Sequence, residues 1–175
     1  MTKRNNVDLE ALEKTLAEFQ SDPAKMRRTN RVEGIWNVHE GEPQFVAEVG
    51  HDGRRTRLEA DQPLFLGGSA TRPGPIQYCL YGLASCYTAT FATMAAMEGV
   101  ELEEVRTAIE ADMNFARVFG LSDEPITSEI RINLTVRSSA PQERLEQINR
   151  LAEQRCPAVY CLTNPIRLVP SVTKV

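Results

Sequence analysis

Apolar and polar positions in this chain repeat at two periods, and over one stretch they do not alternate at all. Leu9, Leu12, Leu16 and Phe19 recur at helical steps, which predicts an amphipathic helix over residues 7–20. Asn6 suits its N-cap and Asp22-Pro23 its stop. The stripe is narrow and fits docking on the domain or on a partner subunit. A basic linker follows over 24–31, and then strand periodicity takes over. Val32, Trp36 and Val38 share one face of a strand over 32–38; Phe45, Ala47 and Val49 alternate over 44–50; a third strand over 54–60 carries Arg54, Arg55 and Arg57. Glu40-Gly41 and Asp52-Gly53 are turn signals, the second a strong one for a hairpin. Together the three strands predict an antiparallel meander. Residues 61–72 read as a loop holding Gly67-Gly68.

From Pro73 to Met97 the chain contains no Asp, Glu, Lys or Arg. After Pro75 it holds good helix formers with apolar side chains on every side, which predicts a helix about 35 Å long at 1.5 Å per residue. Such a helix is either buried in a core or spans a membrane. Gln77, Tyr78, Ser85, Thr88, Thr90 and Thr93 interrupt it, and no basic cluster flanks it, so the buried central helix is the reading.

Alternation resumes over 104–115, with Thr107, Ile109, Ala111, Met113 and Phe115 on one face, and over 127–137, with Ile130, Ile132, Leu134 and Val136 inward. Ser139, Pro141 and Gln142 open a helix whose stripe is Leu145, Ile148, Leu151 and Ala152; Cys156-Pro157 interrupts it, and a last strand is predicted over 166–172. Strand runs punctuated by single helices predict an α+β fold with antiparallel sheets wrapped around the central helix. One half-polar sheet covers only one side of a helix apolar all round, so a second subunit is expected to cover the other. The helix and linker of residues 1–30 stand apart from a domain over 31–175.

Composition narrows the function classes. The chain of 175 residues has a net charge of −4, which argues against general nucleic-acid binding. The N-terminus lacks an apolar secretory segment, so the cytoplasm is expected, where thiols are usually reduced. His39 and His51 lie on turns, and the four cysteines lack zinc-site spacing, so neither metal nor cofactor is expected. Cys79 and Cys86 lie about 10 Å apart along a helix, too far to bond to each other. A disulfide, if one forms, joins the central helix to the Cys156 region. Cys79, Cys161, Trp36, Phe91 and the methionines are candidates for core filling.

Gly67-Gly68, the stretch from Gly74-Pro75-Ile76-Gln77-Tyr78-Cys79 to Ser85-Cys86, and Met97-Glu98-Gly99-Val100-Glu101-Leu102 together resemble the central-helix signature of the OsmC/Ohr family. Arg155-Cys156-Pro157 resembles its second cysteine motif, and the order of elements agrees over roughly residues 31–172. The resemblance implies an intertwined homodimer with peroxiredoxin-like activity that protects against oxidative stress by reducing organic hydroperoxides. In it Cys86 is the peroxidatic thiolate, Cys156 resolves it, and a dithiol is the reductant. A family arginine beside the thiolate corresponds to one of Arg31, Arg54, Arg55 or Arg57. Ten residues before Cys86, where the family's peroxidases carry a glutamate, this chain has Ile76. The alternative reading is therefore a dimer of the same fold that binds a small hydrophobic ligand without turnover.

Overall fold

The computed structural model describes residues 3–175. Its order is β1 (Lys3–Arg4), β2 (Val7–Asp8), α1 (Leu9–Ser21), β3 (Gly34–Trp36), β4 (Phe45–His51), β5 (Arg54–Ala60), α2 (Pro75–Met97), β6 (Glu104–Ala111), β7 (Ile130–Arg137), α3 (Gln142–Arg155) and α4 (Pro157–Thr163). This is an α+β chain whose sheets are all antiparallel. It divides into two compact units: Glu10–Tyr81, and the segment ending at Leu9 together with Gly82–Val175. The boundary falls inside α2.

Within Glu10–Tyr81, β3, β4 and β5 form the predicted meander. Asp52 and Gly53 both take positive φ, the geometry of a two-residue hairpin turn. In register, Trp36 pairs with Phe45 and Phe45 with Ala60, so these and Leu58 share one apolar face. That face is poorly covered: Trp36, expected in a core, is 52 % exposed, and only Pro43, Ala47, Ala60 and Asp61 are buried among this unit's residues.

The loop before α2 closes on Asp61. Its carboxylate accepts hydrogen bonds from the Ser69 and Thr71 N–H groups and the Thr71 hydroxyl at 3.2, 3.0 and 3.0 Å. These bonds, the Thr71 N–H foremost, hold the Asp61 carboxyl below its ordinary value against the opposing effect of burial. A side chain at Gly68 would put its Cβ 1.9 Å from the Gln62 carbonyl oxygen, so the tight return requires glycine. Gln77 then caps α2, accepting the Gly74 N–H at 2.7 Å.

The second unit holds the core. Leu83, Tyr87, Phe91 and Ala95 form one buried stripe of α2 at four-residue steps, and Phe91 is 1 % exposed. The expectation of burial on every side is corrected within a single chain, where Met97 stays exposed beyond this stripe. Against the stripe pack Ile148 and Ala152 of α3 and the inward residues of β6 and β7. Thr107 faces Leu134 and Ile109 faces Ile132, so the alternation of both strands places their apolar side chains on one face. Full burial of a side chain such as Ile148 contributes about 1.5–3 kcal/mol.

Four sequence expectations move. Asn6 does not cap α1: Asn5 and Asn6 both take positive φ and turn the short β1–β2 hairpin, and α1 starts at Leu9 without a buried side chain. The strand over 104–115 stops at Ala111, because the Asn114 side chain accepts the Ala116 N–H at 2.9 Å and begins a 3-10 turn. The helix after β7 is capped at Pro141 rather than Ser139. The strand over 166–172 is absent; Pro165 and Pro170 remove ladder donors, and Ile166, Leu168 and Val169 are exposed. Among the described residues, no helix is long and apolar enough to cross a membrane.

Candidate functional site

The chemistry-bearing residues of the second unit meet where α2, α3 and α4 converge. Ile148, Ala152 and Cys156 follow each other at four-residue steps, so the stripe that anchors α3 in the core ends on a cysteine. Pro157 cannot continue α3 but suits the first position of a new helix, and α4 begins there. Cys156 is held on both sides of this junction. Its N–H donates to the Ala152 carbonyl at 2.9 Å, and its own carbonyl accepts the Tyr160 N–H at 3.0 Å. The residue is 1 % exposed.

Cys86 comes from α2. Its neighbour Tyr87 ties α2 to α3 by donating its hydroxyl to Asn149 Oδ1 at 2.9 Å. The two sulfurs lie 3.6 Å apart, with the Cys156 thiol donating to Cys86 Sγ. Both thiols are free. An S–S bond of about 2.05 Å requires the sulfurs to approach by about 1.5 Å.

Burial pushes the Cys86 thiol above its ordinary value. The backbone N–H of Ala158, in the first turn of α4, opposes this by favouring the thiolate, while Cys156 and Cys161 add to the upward push. None of these influences is a cation. Ala158 is the group that the sequence reading missed; its signal was Pro157, which restarts a helix and turns a free N–H toward the thiol.

The structure brings Cys86 and Cys156 together. It places Cys79 and Cys161, expected as core filling, on the surface. The candidate arginines lie in the first unit. Arg31, Arg55 and Arg57 line one concave face of the meander, paired with Glu33 at 2.7 Å, Glu48 at 3.1 Å and Glu59 at 2.8 Å. Arg54 opens β5 opposite His51. Glu59 also pairs with Arg72 at 2.5 Å, and Arg72 foremost holds its carboxyl below the ordinary value. Ile76, in the first turn of α2, is exposed. The apolar face of the same meander frames a groove of about 400 Å3, walled by Trp36, Phe45, Leu58 and Tyr78.

A family model described as OsmC-like protein matches residues 67–170. Among solved structures, an OsmC-like protein from Mycoplasma pneumoniae aligns with a TM-score of 0.58 at 20 % identity, covering 78 % of this chain and 89 % of that one. An organic hydroperoxide resistance protein OsmC from Legionella pneumophila aligns with a TM-score of 0.55 at 20 % identity, over 78 % of this chain and 90 % of that one. At these identities the structures speak for the fold. No curated protein sequence matches at a significant level.

Proposed function

The chain belongs to the OsmC-like protein family, and on that premise we propose that it is a thiol-dependent peroxidase reducing organic hydroperoxides through Cys86 and Cys156. The observation that carries this reading is the 3.6 Å separation of the two sulfurs. The Cys86 thiolate attacks the terminal oxygen of ROOH. An S–O bond forms, the O–O bond breaks, and the alkoxide leaves as ROH after taking a proton. Cys86 is then a sulfenic acid. The Cys156 sulfur attacks it, an S–S bond forms and water leaves. A small dithiol returns both thiols by exchange.

A thiol with a raised pKa needs a positive neighbour to react at neutral pH. One of Arg31, Arg54, Arg55 or Arg57 is proposed for that role, brought to Cys86 in the working assembly. That assembly is a homodimer in the cytoplasm, with residues 31–175 as its repeated domain and residues 1–30 as an added element. The apolar face of the meander supports it: Trp36, Phe45 and Leu58 stay exposed there, a patch that a second subunit would cover.

The test is consumption of cumene hydroperoxide with dihydrolipoamide as reductant. Turnover by the wild type, lost in Cys86→Ser, is the expected result; absence of turnover in the wild type overturns the reading. A second reading draws on Ile76, which neither bears charge nor accepts a hydrogen bond, and on the groove beside Trp36. It is a dimer that holds a small hydrophobic molecule without turnover, and it predicts binding of an apolar fluorescent probe by a chain that leaves the hydroperoxide intact.

A further inference from the structure

Cys86 and Tyr87 are successive residues of α2, and each makes a polar contact to α3 or its end. The Cys86 sulfur receives the Cys156 thiol at 3.6 Å. The Tyr87 hydroxyl donates to Asn149 Oδ1 at 2.9 Å and lies 3.5 Å from the Asn149 carbonyl oxygen. Asn149 precedes Cys156 by two turns, which is about 10 Å along α3. Ala152 lies between the two contacts and Ile148 beside the first, and both are fully buried. The contacts differ in strength. A thiol is a weak donor and a weak acceptor, whereas a phenol on an amide oxygen makes an ordinary hydrogen bond. Tyr87 is buried, so water does not compete for its bond. Burial foremost, then the charge of Glu153, raises the pKa of this hydroxyl and keeps its proton in place. Two further polar contacts are made by exposed side chains, where they count for less: Arg155 donates to Met94 Sδ at 3.3 Å, and Arg144 to Glu98, just past α2, at 2.5 Å. Helices joined at one point can pivot about it, and a second point two turns away fixes their angle.

We propose that Tyr87 and Asn149 are positioning residues that hold the Cys156 sulfur within reach of Cys86 for the resolving step. This extends the peroxidase reading and rests on it for the chemistry of that step. There the Cys156 sulfur attacks the sulfur of the Cys86 sulfenic acid. The S–S bond forms, the S–O bond breaks, and the hydroxide leaves as water with the proton of the Cys156 thiol. The two electrons have already gone to the hydroperoxide, in the step that released ROH. Disulfide formation depends on the effective concentration of one thiol at the other, which rises with the share of time that α2 and α3 hold the right angle. Without the Tyr87 bond the apolar core still packs, but the Cys86 face of α2 is free to turn from Cys156.

The experiment equilibrates the folded protein with reduced and oxidised glutathione and measures the Cys86–Cys156 disulfide by peptide mass spectrometry after acid quench. Every chain carries Cys79→Ser and Cys161→Ser, which keeps the two exposed thiols out of the reading. Tyr87→Phe, Asn149→Leu and their double variant are compared with this reference, and urea denaturation follows each. Thr88→Val is the control, since the Thr88 hydroxyl bonds to Ala84 and Thr107 and not to α3. The expected result is a fall of about three- to tenfold in effective concentration in each single variant, the equivalent of one hydrogen bond. The double variant loses no more than either single one, and Thr88→Val keeps the reference value. An unchanged effective concentration in Tyr87→Phe, with a lowered urea midpoint, would make the bond structural only and overturn the proposal. An equal loss in Thr88→Val, an additive loss in the double variant, or no Cys86–Cys156 disulfide in the reference chain overturns it as well. The equilibrium needs no hydroperoxide. A reference chain that forms the disulfide yet leaves cumene hydroperoxide intact therefore overturns the peroxidase reading, while the positioning of the thiols stands on its own measurement.

Discussion

The Cys156 thiol donates to Cys86 Sγ at 3.6 Å across 70 positions of sequence. A bond between them would close a loop of about 70 residues and link α2 to the α3–α4 junction. Mild oxidation is therefore expected to join Cys86 to Cys156 within one chain. By the loop-entropy scale a bridge of this length stabilises by up to roughly 4 kcal/mol. Chemical denaturation of the oxidised and reduced protein measures the difference. An oxidised chain less stable than the reduced one would show that closing the bond strains the α3–α4 junction.

The thiol at Cys86 supplies a pH prediction. Burial foremost raises its folded-state pKa, so the folded chain holds this proton more tightly than the unfolded chain does. The stabilisation is complete below the unfolded thiol value, about 8.5. It is lost as pH rises through the higher folded value. Denaturation midpoints followed upward from pH 8 should fall for wild type and fall less steeply for Cys86→Ser. In the isolated chain, iodoacetamide should label Cys86 at neutral pH at least about tenfold more slowly than a free thiol.

Asn5 supports a third prediction. Its side-chain amide donates to the Val100 carbonyl at 2.9 Å and its oxygen accepts the Leu102 N–H at 2.8 Å. Arg4 beside it donates to the Ala96 carbonyl at 3.1 Å, near the C-terminal end of α2. The β1–β2 turn thus pairs backbone groups of the segment that leads from α2 to β6. Asn5→Ala leaves two backbone groups without these partners and should cost about 1–3 kcal/mol. Asn5→Asp keeps one acceptor and should cost less. Urea denaturation separates the two variants, and equal stability of Asn5→Ala and wild type would remove the turn's role.

What the sequence revealed and what it hid have physical causes. Ile130 to Val136 could be read because their sheet has a core on one side only, which makes burial alternate. The meander could be read because Asp52-Gly53 suits the positive φ of its hairpin. The β1–β2 strands were hidden because two residues per strand carry no period; their mark was the pair Asn5-Asn6, residues that tolerate left-handed backbone. At 166–172 an apolar alternation was visible, but a strand needs a neighbour's donors and acceptors, and two prolines lower the chain's own supply. At the site, the cysteine types and Pro157 were visible. The distance between Cys86 and Cys156 was not, since only the packing of α2 on α3 creates it.

The open face of the meander carries the last prediction. Trp36, Phe45 and Leu58 line the groove of about 400 Å3, and their unit buries no large apolar side chain. A unit so built gains stability by covering that face, as the proposed dimer does. Trp36 is the chain's one tryptophan, so its fluorescence reports the cover directly. Sedimentation should give twice the chain mass, and the melting temperature should rise with protein concentration. Leu58→Glu places a charge against the covered face and should shift the emission of Trp36 to the red while lowering the mass to that of one chain. A monomeric wild type with red-shifted emission would mean that the groove stays open, which favours the small-ligand reading over the dimer.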